Sequence, residues 1–384
     1  MKYRLFDFSS GDGELLTRGG LERVSDHAEA IEQVLGELRA GDWIVSEDDL
    51  AAVGFKAIMA EGRTGCLELT PEVIDSMEAC NNIAPAHNPP YIRGIRLFAE
   101  KMPSVPLVGL FETAFYQWAP EASICYAVPQ SWHDAGVRRW GFHGASHKFI
   151  AERSAELLGR DDVAQRARNL YVDDAGSPVD GPPLRVVSCH LGGSSSITGI
   201  LNGAAVGNSM GLSPQSGLPQ NNRVGDLDSM AVLHMMRRDG LSIDDVENAL
   251  CNEGGLKGLS GGHNDIRDIV SEAGSGNAQA KHALDVYVHS ARHWLGAYLA
   301  QLNGLDALVF TAGIGENRAG IRAAICANLD QLGIRLDAEK NAAAQAGEMV
   351  ISADDSPAKV MIIPTNEELV VAREVKRYLD HRRN

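Results

Sequence analysis

The 384-residue chain has six cysteines, at 66, 80, 125, 189, 251 and 326, and none falls in a CxxC or Cys/His ligand spacing. A disulfide framework and a metal–thiolate site are thereby excluded. No run of 18 apolar residues occurs, and the N-terminus carries no secretory pattern, so a cytoplasmic protein is expected. Positive charge is in deficit: 35 basic residues against 51 acidic ones leave a net charge of −16. Such a field repels nucleic acid and anionic membranes, and an anionic substrate would need local basic groups to overcome it. Walker A, GxGxxG and HExxH patterns are absent as well.

What the chain does have is length and glycine. Its length predicts two domains. Forty glycines cluster ahead of apparent helices, where tight turns or phosphate loops belong. "YRLFDF" and "LLTRGGLERV" predict an N-terminal hairpin, and "SDHAEAIEQVLGELRAGD" predicts a helix opening on an Asp cap. From 184 on, apolar strands flank a Gly/Ser loop and then Asn202-Gly203, a strong hairpin signal. Both blocks start with strand, small-residue turn and strand, a rhythm of two related halves. Helices are expected over 229–250 and 276–303, with a polar, loop-rich surface insertion or interdomain segment over 160–183. "FTAGIGEN" and "IIPTNEELVVARE" read as strand, break and helix, the junctions where α/β folds bind ligands.

Several stretches carry candidate chemistry, each with a plainer reading beside it. "CHLGGSSSIT" and "FTAGIGEN" offer amides and hydroxyls for a phosphate, or serve only as turns. "NNRVGDLD" presents Arg223 to an anion, or is a solvated loop before an Asp cap. "NDIRD" places Asp265 for a ribose hydroxyl, or for capping. "APAHNPP" fixes His87 between prolines. In "GFHGASH", His143 and His147 have metal-like spacing but no intervening Glu, and a helix start near Ser146 or His147 fits better.

Together these segments resemble the acetate kinase family of the actin-like ATPase superfamily. They stand in family order: "IAPAHNP", "RRWGFHGASHKFI", "VVSCHLGGSSSIT", "NSMGLSP", "NNRVGDLD", "NDIRD", "VFTAGIGENRAGIR" and "IIPTNEELVVARE". The resemblance implies an α/β fold of two actin-like (ribonuclease H-like) domains around a nucleotide cleft. Residues 1–149 with 367–384 would form the acyl side, and 150–366 the nucleotide side. It implies a kinase that reversibly phosphorylates acetate or a similar short-chain acid with ATP and Mg²⁺ (or Mn²⁺), as a homodimer. The alternative is a catalytically weak nucleotide-binding paralogue acting as a sensor.

Position by position, His143, Arg223, Glu112 and His87 match catalytic residues. Lys56, Ile58, Ala86, Phe142 and Pro214 match the substrate pocket. Lys2, His190, Leu191, Gly192, Gly193, Ser194, Asp265, Ile266, Arg267, Gly313, Ile314, Gly315, Glu316 and Asn317 match nucleotide contacts. Glu367 matches the Mg²⁺-linked carboxylate. Departures are clear too. Met1 and Lys2 align with the end of the family's Asn-x-Gly-Ser-Ser-Ser-Leu-Lys loop, so either the start codon is placed late or the loop is lost. The substrate arginine is Lys56, the family's Asp is Glu112, its partner His is Tyr116, and a loop Asn is Gly193. Ala86 replaces a Leu, which predicts a pocket that takes propionate at least as well as acetate.

Overall fold

The structure is a computed structural model that describes residues 1–11, 13–21, 27–85, 87–173 and 179–383. The chain is α/β and divides into two compact units. The first comprises Met1–Gln117, Gly144–Ser146 and Asn366–Asn384; the second comprises Trp118–His143 and His147–Thr365.

In the first unit the expected hairpin forms from β1 (Lys2–Asp7) and β2 (Glu14–Gly20), with a register shift between Leu5 and Phe6. Helix His27–Ala40 buries Ile31, Val34, Leu35 and Leu38, a spacing that puts one stripe on one side. Its expected cap, Asp26, lies outside the described residues. A three-stranded sheet follows. β3 (Val53–Ala57) and β5 (Leu107–Phe111) run parallel, and β4 (Cys66–Glu68) is antiparallel to β5. All five residues of β5 are buried, as its uninterrupted apolar run requires. Helices Pro71–Glu78 and Asn88–Lys101 complete this core through Val73, Ile74, Met77, Ile92 and Ile95. The C-terminal helix Glu367–Arg383 packs on β3, where Val371 and Val375 close on the bare Cα of Gly54.

The second unit is built on six strands in the order β10-β11-β9-β6-β7-β8. β6 (Arg185–Leu191), β7 (Ser195–Leu201) and β8 (Ala204–Asn208) are antiparallel neighbours. β9 (Ala307–Thr311) is parallel to β6 and to β11 (Lys359–Ile362), and β10 (Met349–Val350) closes the edge antiparallel. Asn202 and Gly203 both take positive φ, 49° and 81°, as the two-residue hairpin signal predicts. Period-two alternation sorts β6: Val187, Cys189 and Leu191 join the core with the 25-residue helix Ala278–Leu302, leaving Ser188 and His190 to the other face.

Two expectations are corrected. Residues 160–183 are not all loop, because Asp161–Asp173 is a helix with Asp161 and Asp162 in its first turn. Val163, Ala164, Ala167 and Leu170 are buried on one face, a stripe that the surrounding charges hide from a composition reading. Residues 229–250 are not one helix. Gly240 ends Ser229–Asp239 in the left-handed region, and Ser242 starts Ile243–Cys251 with a capping box to Asp245.

Candidate functional site

Two buried polar clusters gather most of the singled-out residues, one in each unit. In the first unit Lys56, on β3, stands between two carboxylates. Its ammonium lies 3.1 Å from Glu112 Oε1 and donates to Glu367 Oε2 at 2.7 Å. Glu112 follows β5 directly, and Glu367 opens the C-terminal helix, so three elements meet at one cation. Burial alone would lower the Lys56 pKa, but Glu112 and Glu367 outweigh it and hold it above the ordinary lysine value. Burial raises the Glu112 pKa, against the pull of Lys56. Glu112 Oε2 is buried without a hydrogen-bond partner among the described residues.

Gly144 touches the same cluster. Its N–H donates to the Glu112 carbonyl oxygen at 3.0 Å, and a Cβ there would overlap that oxygen. The glycine of "GFHG" is thus required by a close backbone approach. Ile58 and Tyr116 are buried in this unit. His87 precedes helix Asn88–Lys101, where Asn88 donates to the carbonyls of Met59 and Met77. Ala86 lies outside the described residues. Lys2 is exposed at the start of β1.

In the second unit His143 sits just before helix Gly144–Leu157 in the left-handed region, at φ 59° and ψ 32°. Its ring stacks on His190 at 4.1 Å between centroids, 18° from parallel. Its Nδ1 is 2.8 Å from Ser196 Oγ, and Ser196 Oγ is also 2.8 Å from His147 Nε2. His147 Nδ1 lies 2.8 Å from Ser188 Oγ. The strand register explains the assembly: His190 on β6 pairs with Ser196 on β7, so both side chains share one face with Ser188. His147 is fully buried, and burial, followed by the neighbouring His190, keeps its pKa well below the usual imidazole value. His147, set aside as a metal ligand, was read from the sequence as a structural or supporting residue, and the two serines are what that reading missed. Only the strand pairing brings them together.

Arg223 is nearly buried, and its Nη1 donates to the Pro214 carbonyl at 3.2 Å. Burial pulls its pKa down to about 10, against a smaller opposing effect of Cys251, and it stays cationic at neutral pH. A Cβ on Gly255 would overlap the carbonyls of Gln220 and Arg223, so this turn is clamped by backbone. Phe142 is buried, with its carbonyl accepting from Asn208 at 3.2 Å.

The loop from His190 to Ser194 is a tight turn. Gly192 N–H donates to the Ser194 carbonyl at 3.1 Å, and the Ser194 hydroxyl to Gln220 Oε1 at 2.7 Å. Beside Gly193, the Asn221 amide stands so close that a Cβ there would lie 3.1 Å from its Nδ2. Gly313–Asn317 is not a loop, as "FTAGIGEN" was expected to be. Ala312 at φ 64° turns the chain straight from β9 into helix Ala312–Asn317. Asp265 caps helix Ile266–Gly274 through Arg267 N–H and also binds the Arg267 guanidinium, which pulls its pKa down to about 2. Asn317 and Ile321 border a cavity of about 580 Å³ whose apolar wall includes Val270, Leu284 and Val288.

The Acetokinase family model matches residues 17–373. An acetate kinase from Natranaerobius thermophilus is 36% identical over 403 residues, spanning 98% of this chain and 96% of the relative. The crystal structure of Porphyromonas gingivalis acetate kinase superposes with a TM-score of 0.83 at 31% identity, covering 98% of this chain and 96% of that one. A propionate kinase structure from Francisella tularensis gives 0.79 at 31% identity, covering 93% and 86%.

Proposed function

The chain belongs to the acetokinase family, and from that premise we propose that it reversibly transfers the γ-phosphoryl group of ATP to a short-chain carboxylate, giving the acyl phosphate and ADP. One observation carries the reading: the residues matching the family's phosphoryl-stabilising pair, His143 and Arg223, are both held in place by hydrogen bonds, part-buried at His143 and buried at Arg223. Phosphoryl transfer spreads negative charge over three oxygens, so catalysis is mainly positioning and electrostatics. A carboxylate acceptor is already ionised at neutral pH, so no base is needed to activate it. Arg223 supplies fixed positive charge, and His143 a directed donor.

By the resemblance, residues 1–149 with 367–384 take the acyl side and residues 150–366 the nucleotide. By their match to the family's residues, Lys56 and Ile58 are assigned to the acid, as are Phe142 and Pro214, and His87 is assigned to the phosphoryl step. The turn from His190 to Ser194 is assigned to the phosphates, and Lys2 is assigned to the nucleotide by its match to the family alone. Asp265–Arg267 and Gly313–Asn317 take the adenosine, with the cavity beside Asn317 apolar enough for a base. Glu367 and Glu112 fit Mg²⁺ or Mn²⁺: they are hard oxygen donors, and Glu112 Oε2 is buried without a partner among the described residues. Two carboxylates are the usual protein share of a Mg²⁺–phosphate site. The ion would supply neutralisation of phosphate charge.

The replacement of Leu by Ala86 supports use of propionate at least as well as acetate, since one methylene is worth about 1–3 kcal/mol in such a pocket. Acetate preferred over propionate by a large kcat/KM margin would sink that choice. A hydroxamate assay with ATP, Mg²⁺ and an acid series tests the function; no turnover with any acid would reject it.

A second copy of the chain is the proposed partner. Helices Ser229–Asp239 and Ile243–Cys251 contain no buried residue and expose Met230, Leu233 and Ile243. Arg237 and Arg238 end the first helix, and Asp244 and Asp245 begin the second, so the face is complementary to itself. Light scattering should give a dimer that Leu233→Glu dissociates. A cytoplasmic location is proposed from the free thiols. Among the described residues no helix is long and apolar enough to cross a membrane.

A further inference from the structure

We propose that Ser188, His147 and Ser196 form a polarised hydrogen-bond relay that fixes His143 in the tautomer with its proton on Nε2, making His147 a positioning residue for phosphoryl transfer. The proposal rests on the reading of His143 as the donor to the transferred group.

The relay runs Ser188 Oγ, His147 Nδ1 and Nε2, Ser196 Oγ, His143 Nδ1, with each step 2.8 Å. Ser188, His147 and Ser196 are 0% exposed. Distances leave the side of each proton open, and counting donors and acceptors decides it. His147 is neutral, because burial disfavours its charged form, so one ring nitrogen donates and the other accepts.

Two polarities then exist. In one, His143 Nδ1–H donates to Ser196, Ser196 O–H to His147 Nε2, and His147 Nδ1–H to Ser188. The Ser188 hydroxyl proton is then left in a buried site with no acceptor, since His147 is its single side-chain partner among the described residues. An unsatisfied buried donor of that kind is costly.

In the other polarity Ser188 O–H donates to His147 Nδ1, His147 Nε2–H to Ser196 Oγ, and Ser196 O–H to His143 Nδ1. Each of the three protons within the relay then has an acceptor. His143 then carries its own proton on Nε2, where it is a donor for a phosphoryl oxygen. The opposite tautomer would present a lone pair there and repel the anion. Protonating Nδ1 would also set two N–H groups against one Ser196 oxygen and strand the serine proton. The left-handed turn at His143 and the His190 ring stacked on it fix the ring plane, and the relay fixes the proton.

The test is ¹⁵N-histidine NMR on the full ligand-free chain, with turnover measured in parallel. His143 and His147 should both appear neutral and protonated on Nε2; a proton on Nδ1 of either ring overturns the relay. In Ser196→Ala the His143 signal should lose its single-tautomer character. Its kcat should fall about tenfold, short of the ~10²–10³ expected for losing a donor outright, with KM for the acid nearly unchanged. Ser196→Thr keeps the hydroxyl and should restore both. An unaltered tautomer and kcat in Ser196→Ala would refute the proposal. Should that variant not fold, the wild-type spectrum and Ser188→Ala, two steps from His143, decide it. The expected tautomers in a chain with no turnover would sink the kinase reading alone; reversed tautomers in an active enzyme would sink the relay alone.

Discussion

The two buried polar clusters solve the same physical problem in opposite ways. Around Lys56 in the first unit, burial is tolerated by keeping three charges and setting them against one another. Around His147 in the second, it is tolerated by giving charge up and satisfying every donor. The first arrangement supplies field and reach for ions, and the second supplies direction.

The sharpest way to break that contrast is Lys56→Met, which removes the cation held between Glu112 and Glu367. Stability in urea should fall by about 2–4 kcal/mol. That is below the ~3–5 of a fully buried pair because a third of the Lys56 side chain is exposed. No loss would mean the charges are not truly coupled. Next comes Gly144→Ala, whose Cβ overlaps the Glu112 carbonyl; overpacking of this kind costs about 1–3 kcal/mol, and Tm should drop accordingly.

The neutral cluster has a pH signature instead. His147 has a folded pKa far below its unfolded value of ~6.5, so beneath that pH the unfolded chain binds a proton the native one refuses. Stability should therefore fall as pH drops below ~6.5, by about 1.4 kcal/mol per unit from this residue. Urea titrations at several pH values should show that slope removed in His147→Asn. A slope equal in both would mean His147 is charged when folded. The smallest expected effect is Arg267→Ala. That exposed pair with Asp265 lies in water, and the urea midpoint should not move resolvably.

How much of this was legible beforehand follows from sequence distance. The hairpins and the buried strand β5 declare themselves locally, in turn residues and in period, whereas the helix expected to start near Ser146 or His147 starts earlier, at Gly144. His143 and Arg223 could be singled out as candidates because their surroundings are short motifs. The Lys56–Glu367 contact spans 311 positions, and the His147–Ser196 contact 49, so neither leaves a local mark. Ser188 and Ser196 looked like polar residues in and beside a Gly/Ser loop; only the β6–β7 register puts them on one face. The helix Asp161–Asp173 escaped because its buried stripe is made largely of alanines set among charges.

The left-handed backbone at His143 has a consequence for how mutants there should be interpreted. An imidazole in that conformation forgoes about 1–2 kcal/mol of backbone comfort that glycine or asparagine would largely recover. Replacing His143 with alanine removes the ring and keeps the strain, whereas glycine removes both. An alanine scan would therefore confuse loss of chemistry with backbone relaxation, and His143→Asn, which tolerates the same turn, is the cleaner deletion. The same strain limits portability: transplanted onto a straight helix, "GFHG" would aim its imidazole elsewhere.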